Sequence, residues 1–331
     1  METPKNPESR QMNRREALLA LLRAGGAGAG LIVAGELLSA QSQKPVTGKL
    51  VAGGRNHAVA ADASHPAMVV VQGEDPRALV RRAFDDLGGV GRFIAKGETV
   101  VVKPNIAWDR VPEQAANTNP DVVAEVVKQC MQAGARKVIV TDVTCNEPRR
   151  CFDRSGIEEA AKAEGAEVLL PDPALFREVD IKGDLLHVWP VLEPFLNADK
   201  VINLPIAKHH TLSKVTIGFK NWYGILGGQR MQLHQHIHQS LVDLAAFMRP
   251  TLTMVDCYRV LLRNGPTGGN LDDVADKKTL VAGTDMVAID AYVAKAIWNL
   301  EVKELPYLEI AEKRGLGTSA FETLNIKTSK V

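Results

Sequence analysis

Three histidines stand at every second position in GGQRMQLHQHIHQS, residues 227–240: His234, His236 and His238. His209 and His210 lie upstream, so five of the chain's eight histidines fall between positions 209 and 238. Imidazole changes charge nearest neutral pH and is the commonest metal ligand, so the cluster poses a choice between a metal site and proton handling. On a strand the three would share one face and could hold one ion. The apolar positions Ile237, Leu241, Leu244, Ala245 and Met248 instead follow helical spacing, so a helix is expected to begin near His236. That leaves His234 and His238 about one turn apart as the metal pair, with Asp243 or an aspartate at a strand end as third ligand. Such a set suits a divalent transition metal without choosing among Zn, Fe, Ni and Mn.

A second pattern points to anions. KHHTLSKVTIGFKNWYGILGG (208–228) interleaves Lys208, Lys214 and Lys220 with His209, His210, Asn221, Trp222 and Tyr223. Surface lysines commonly sit among acids on a solvated face. These sit among Ile, Phe, Trp and Tyr, which suits a cationic pocket for a carboxylate or phosphate. RNGPTGGN (263–270) adds Gly265, Thr267, Gly268 and Gly269, whose successive main-chain amides could form an anion-binding concavity. It lacks the Gly-Lys-Ser/Thr ending of a P-loop, and a plain turn has the same composition.

These residues need elements to position them. Four apolar runs end in polar residues: TVVVKPN in Lys103 and Asn105, VIVTD in Asp142, VINLPIAKHH in Lys208, His209 and His210, and LTMVD in Asp256. Helical segments separate them, the best punctuated having Asn119 as N-cap, Pro120 at its first position and Gly134 past its end. Near-continuous hydrophobic strands alternating with helices specify an α/β fold, a mostly parallel sheet with helices on both faces, in one or two lobes. Ligands in such sheets sit beyond the carboxyl ends of the strands. Any strand must end at water, so one polar ending says nothing, but parallel neighbours would bring the four together. The expected catalytic groups are then His209, His210, Asp142 and Asp256. The expected anion-binding groups are Lys103, Asn105, Lys208, Lys214, Lys220, Asn221 and the 265–269 loop.

Bulk properties narrow the function. Forty Lys+Arg against thirty-nine Asp+Glu give a net charge of +1 over 331 residues, which argues against a nucleic-acid partner. Arg14-Arg15 precede a weakly apolar Gly/Ala-rich run to about Ala34 and a small-residue cleavage candidate at Leu38-Ser39-Ala40. This resembles a twin-arginine (Tat) export signal and implies the Tat machinery as partner and a periplasmic or extracellular location. The run is too short for a permanent membrane span. The expected organisation is a leader over 1–40, a linker over 41–66 and an α/β domain over 67–331. Cys130, Cys145, Cys151 and Cys257 form no CxxC pair and no iron–sulfur motif, and no Gly-x-Ser-x-Gly turn points to acyl transfer.

VVVKPNIAWDR with TNPDVVAEVV, then INLPIAKHHTLSKVTIGFKNWYGILGG, FMRPTLTMVDC, NGPTGG and AGTDMVAIDAYVA resemble, in that order from about Val70 to Gly317, the domain of unknown function family 362. The resemblance implies a Tat-exported member without the ferredoxin-type module that others carry. It places Lys103, Asn105, Lys208, Lys220, Asn221, the 264–269 loop and Asp285 in shared motifs and assigns no reaction. The leading expectation is an exported enzyme acting on a small anionic substrate at a Lys/His-lined crevice, with metal assistance left open. The alternative is a non-catalytic periplasmic protein that binds a ligand, metal or cofactor, or serves a redox system, with Trp222 and Tyr223 as a docking face.

Overall fold

Proline and glycine punctuate the apolar runs into twelve strands in the described part of the chain. The computed structural model describes residues 51, 56–60 and 62–331; the expected leader and most of the expected linker lie outside them. The first half contains β1 (Met68–Gln72), α1 (Pro76–Asp86), β2 (Thr99–Pro104), α2 (Pro120–Gln132), β3 (Lys137–Thr141), α3 (Pro148–Arg154), α4 (Ile157–Ala163) and β4 (Glu167–Leu169). A hairpin of β5 (Phe176–Asp180) and β6 (Val188–Leu192) follows, then α5 (Glu193–Asn197), β7 (Lys200–Leu204), β8 (Ile206–His210) and β9 (Lys214–Thr216). The remainder is α6 (Gly218–Asn221), α7 (Ile237–Phe247), β10 (Leu252–Leu261), β11 (Val274–Gly283), α8 (Met286–Trp298), α9 (Pro306–Lys313) and β12 (Ile326–Lys330).

The main sheet has the order β12-β1-β11-β10-β7-β2-β3-β4. From β10 to β4 every neighbouring pair is parallel, and only β11 runs against the rest of this path. Alternation along β2 sends Val100 and Val102 to one face, with Leu79 of α1 and Val122 of α2, and Val101 to the other, with Phe219 of α6, Leu241 of α7 and Ile289 of α8. Both faces are therefore covered, which is why the strands read as continuous apolar runs.

The same alternation positions the chemistry. Lys103 follows Val102 and shares the face of Val101; it lies opposite Asn203 of β7 in the parallel register. Pro205, which cannot donate to a ladder, divides the run that reads as one strand into β7 and β8. β7 stays between β10 and β2, while β8 pairs with β10 and with β9. The strand expected to end at Asp256 runs on to Leu261, because its antiparallel pairing with β11 continues past an irregularity between Cys257 and Arg259. Asp256 is thus a mid-strand residue. Polar residues interrupt β5 (FREVD) and β12 (IKTSK), and Pro190 interrupts the apolar run of β6 (VWPVL), so local pattern does not single these strands out. No helix of the described residues is long and apolar enough to cross a membrane.

Helix α2 begins as expected: the Asn119 side chain accepts from Asp121 N at 3.0 Å, Pro120 is the first residue, and Gly134 takes φ 88° beyond the end. Asn119→Ala should therefore lower stability by about 1 kcal/mol, measurable as a reduced midpoint in urea.

Candidate functional site

The carboxyl ends of β2, β3, β7 and β8 meet in a buried polar network. Lys103 Nζ donates to Asp142 Oδ1 at 2.6 Å, to Asn221 Oδ1 at 3.0 Å and to Pro104 O at 2.9 Å, so its ammonium protons all have acceptors. Asp142 Oδ2 accepts from Ile106 N at 2.6 Å. Asn221 at the end of α6 receives Asn105 Nδ2 at 3.1 Å and donates to Lys103 O at 3.1 Å and Asn203 Oδ1 at 2.9 Å. Asn105 Oδ1 accepts from Lys208 Nζ at 2.9 Å, whose second acceptor is Ala116 O at 2.5 Å. Two amides thus link two lysines. Burial holds Lys103 below the usual amine range and Asp142 above the usual carboxylate range, and the attraction between them opposes both shifts.

Around this pair the charge is one-sided. Lys208, Lys220 and Arg230 have no carboxylate partner among the described residues, whereas Asp142 is committed to Lys103. Burial brings Lys208 down to about 7, with Lys220 adding to the effect and Cys145 opposing it. Burial also brings Lys220 down to about 7; Cys145 again opposes, and Arg230 and Lys103 reinforce. Lys220 Nζ lies 3.8 Å from the centroid of the Tyr223 ring, a cation–π contact. Arg230 ties the β3–α3 loop down by donating to Val143 O, Thr144 O and Tyr223 O.

The turn carrying Lys220 and Asn221 is anchored by Asp290 of α8, which accepts from Gly218 N at 2.8 Å, Phe219 N at 3.3 Å and Tyr307 Oη at 3.1 Å. Burial raises Asp290 to about 7. Gly224 makes the close approach possible: a Cβ there would stand 1.8 Å from Asp142 Oδ1 and 2.6 Å from Lys103 Nζ. Asn203, Gly224, Arg230 and Asp290 were not among the expected site residues. The polar positions in DKVINLPIAK and AIDAYVA were the available signal.

The histidines divide. His210 shares the Lys208 face of β8, and its Nδ1 accepts from Leu212 N and Ser213 N at 3.1 and 3.2 Å. Burial, with Lys220 next in effect, pushes it down to about 2, so it stays neutral with its proton on Nε2. The His234 ring stacks on His210 at 5.9 Å and meets Tyr223 edge-on at 5.4 Å. His238 instead stacks on Tyr307 at 6.3 Å. The helix does start at Ile237, after a 3-10 turn over Arg230–His236. Asp243, the suggested third ligand, is taken up by Asp184 N, Leu185 N, Leu186 N and Arg314. The described residues contain no group of three or more His, Cys, Asp or Glu side chains that could hold a metal ion.

Other expected residues lie outside the network. His209 points to the opposite face of β8, where its Nδ1 accepts from Gly265 N at 3.1 Å. The 265–269 loop packs there: Gly265 O accepts from Thr211 Oγ1, Gly269 O accepts from Gln114 Nε2, and Gly268 abuts Leu261. Thr267 belongs to the same loop. Lys214 is exposed and pairs with Glu304 at 2.9 Å. Asp256 accepts from Asn119 N and Tyr258 N, joining β10 to the start of α2. All four cysteines are free, Cys145 being exposed and the others buried.

Comparison with known proteins agrees with the family resemblance. The family described as Domain of unknown function (DUF362) matches residues 100–295. A thylakoid-associated protein of Synechocystis sp., sll1697, is 26% identical over 261 residues, 74% of this chain and 77% of its own length. Among solved structures, the lactate racemase apoprotein of Thermoanaerobacterium thermosaccharolyticum aligns with a TM-score of 0.44 at 11% identity over 68% of this chain. A protein of Thermotoga maritima aligns at 0.36 and 10% identity over 72%. The chain spans 56% and 60% of the lengths of those two structures.

Two substitutions follow from the network. Lys103→Met strands the Asp142 carboxylate in a buried site and should cost about 3–5 kcal/mol in urea denaturation, and Lys103→Met/Asp142→Asn should cost less than the single change. Gly224→Ala should destabilise by about 1–3 kcal/mol through overpacking, seen as a lower melting temperature.

Proposed function

The chain belongs to the domain of unknown function family 362, whose description names no reaction, and from its site we propose an enzyme that acts on a small anionic substrate. The substrate would lie at the carboxyl ends of β2, β3 and β8, drawn by Lys208, Lys220 and Arg230. The observation that carries this reading is the charge balance: buried Lys208 and partly exposed Lys220 and Arg230 converge where Asp142, the one carboxylate of the network among the described residues, is already paired with Lys103. An uncompensated buried charge is costly, and an anionic ligand would supply the missing charge. Protonated Lys208 has two acceptors and so keeps one N–H for that ligand.

Turnover rather than storage is favoured by the amines. Groups at about 7 can exchange protons at neutral pH. Neutral His210 would serve as a hydrogen-bond donor through Nε2, not as a base. Export by the Tat machinery to the periplasm or cell surface belongs to the same proposal and rests on Arg14-Arg15 ahead of the apolar run. Replacing both arginines by lysine should leave the protein in the cytoplasmic fraction; unchanged export would refute that part.

Binding is tested by titrating small carboxylates and inorganic phosphate calorimetrically. Free Lys208 and Lys220 lose their protons as pH rises through about 7, so anion affinity should fall above that point toward about tenfold per pH unit for each lysine the anion holds protonated. Binding should also take up protons. Lys220→Ala should weaken binding at least tenfold. Affinity that stays level from pH 6 to 9 would overturn the reading, and binding without conversion of any anion would reduce it to a carrier.

A further inference from the structure

Resting on that reading, we propose that Lys220 is a covalent nucleophile and that the substrate class is a carbonyl-bearing carboxylate, such as a 2-oxo acid, captured as a Schiff base. The three buried-site lysines differ in how their amines are engaged. Lys103 has three acceptors and Lys208 has two. Lys220 makes no hydrogen bond among the described residues; its Nζ rests against the Tyr223 ring at 3.8 Å. Lys103 and Lys208 are 0% and 1% exposed, whereas Lys220 is partly exposed. It is the amine of the three that is open to solvent and that holds no hydrogen bond.

Its backbone is also held on both sides by hydrogen bonds. Asp290 holds the two residues before it through Gly218 N and Phe219 N. Asn221, immediately after it, is tied to Lys103 O and Asn203, and Trp222 is fully buried. A fixed stem ending in an unengaged amine among other cations is the arrangement that activates a lysine for attack on carbonyl carbon. With the amine brought to about 7, its uncharged form is well populated at neutral pH.

The step balances without an oxidant or reductant. The Nζ lone pair forms a bond to the carbonyl carbon while the C=O π pair moves to oxygen, giving a carbinolamine. That oxygen takes protons from the nitrogen and its surroundings and leaves as water, so amine plus carbonyl gives imine plus water. Protonated, the imine is a cation over the Tyr223 face, where the ammonium lay before. The substrate carboxylate would face Lys208 and Arg230, which would select a 2-oxo acid over a neutral aldehyde.

The test incubates the full chain with pyruvate and sodium cyanoborohydride near pH 7.5 and maps the reduced adduct by peptide mass spectrometry, with exposed Lys214 as internal reference. Propionate, which has the carboxylate and no ketone, is titrated in parallel. We expect labelling of Lys220 at least tenfold above Lys214 and no adduct at position 220 in Lys220→Arg. Propionate binding with Lys220 labelled no faster than Lys214 would overturn the Schiff base and leave the anion site standing. Failure to bind either compound would overturn both. Because the wild-type map reads position 220 directly, the outcome does not depend on the variant folding.

Discussion

The Lys103–Asp142 pair is the constraint on which the rest of the site depends. Two opposite charges almost fully withdrawn from water are tolerable only when their geometry is good and their remaining hydrogen-bonding capacity is used. Both conditions are met by neighbours brought from separate parts of the chain: Ile106 N on Asp142, Asn221 on Lys103, and Gly224 leaving no side chain in between. Asn221 is anchored in turn by Asn203, and Gly224 by Val143 N on its carbonyl. The network is therefore cooperative in construction, and Asp290, which touches neither charge, supports it through α6.

The consequence is a separation of roles among the basic residues. Lys103 is saturated and structural. Arg230 spends its donors on carbonyls and contributes charge and loop position. Lys208 is partly engaged and Lys220 is not hydrogen-bonded at all. Among the three lysines the gradient runs from the sheet outward, so the least committed of them is also the one solvent reaches. His210 and His234 stack beside it, and the low-dielectric surroundings that lower the lysines hold both imidazoles toward the neutral form as well.

Much of the fold was legible in the residues. The strands β2, β3 and β7, the helix caps of α2, and the start of a helix after His236 follow from apolar periodicity and from Asn, Pro and Gly at their expected places. So did the idea that Lys103, Asn105 and Asp142 gather at one end of the sheet, because β2 and β3 are parallel neighbours; Lys208 joins them from β8, which pairs with β10 and β9 instead. Less legible were the departures: Pro205 dividing one apolar run into β7 and β8, and β11 prolonging β10 past Asp256. Those are decided by which strand lies alongside, which local pattern does not record. Lys214 illustrates the limit. It lies in the same dense segment as Lys208 and Lys220, yet a turn places it outside, paired with Glu304.

Sequence alone determined the α/β class, the strand ends that deliver polar groups, and the presence of more cations than acids in the 208–230 region. It could not say which cations would be neutralised, because pairing is a matter of proximity between distant segments. Only the tertiary structure commits Asp142 to Lys103 and Asp243 to Arg314 and the 184–186 turn. It likewise sends His209 to the loop at 265 and leaves Lys220 against the Tyr223 ring without a hydrogen bond. The physical reason is that a charge or hydrogen bond acts over a few ångströms, and packing decides which groups share them.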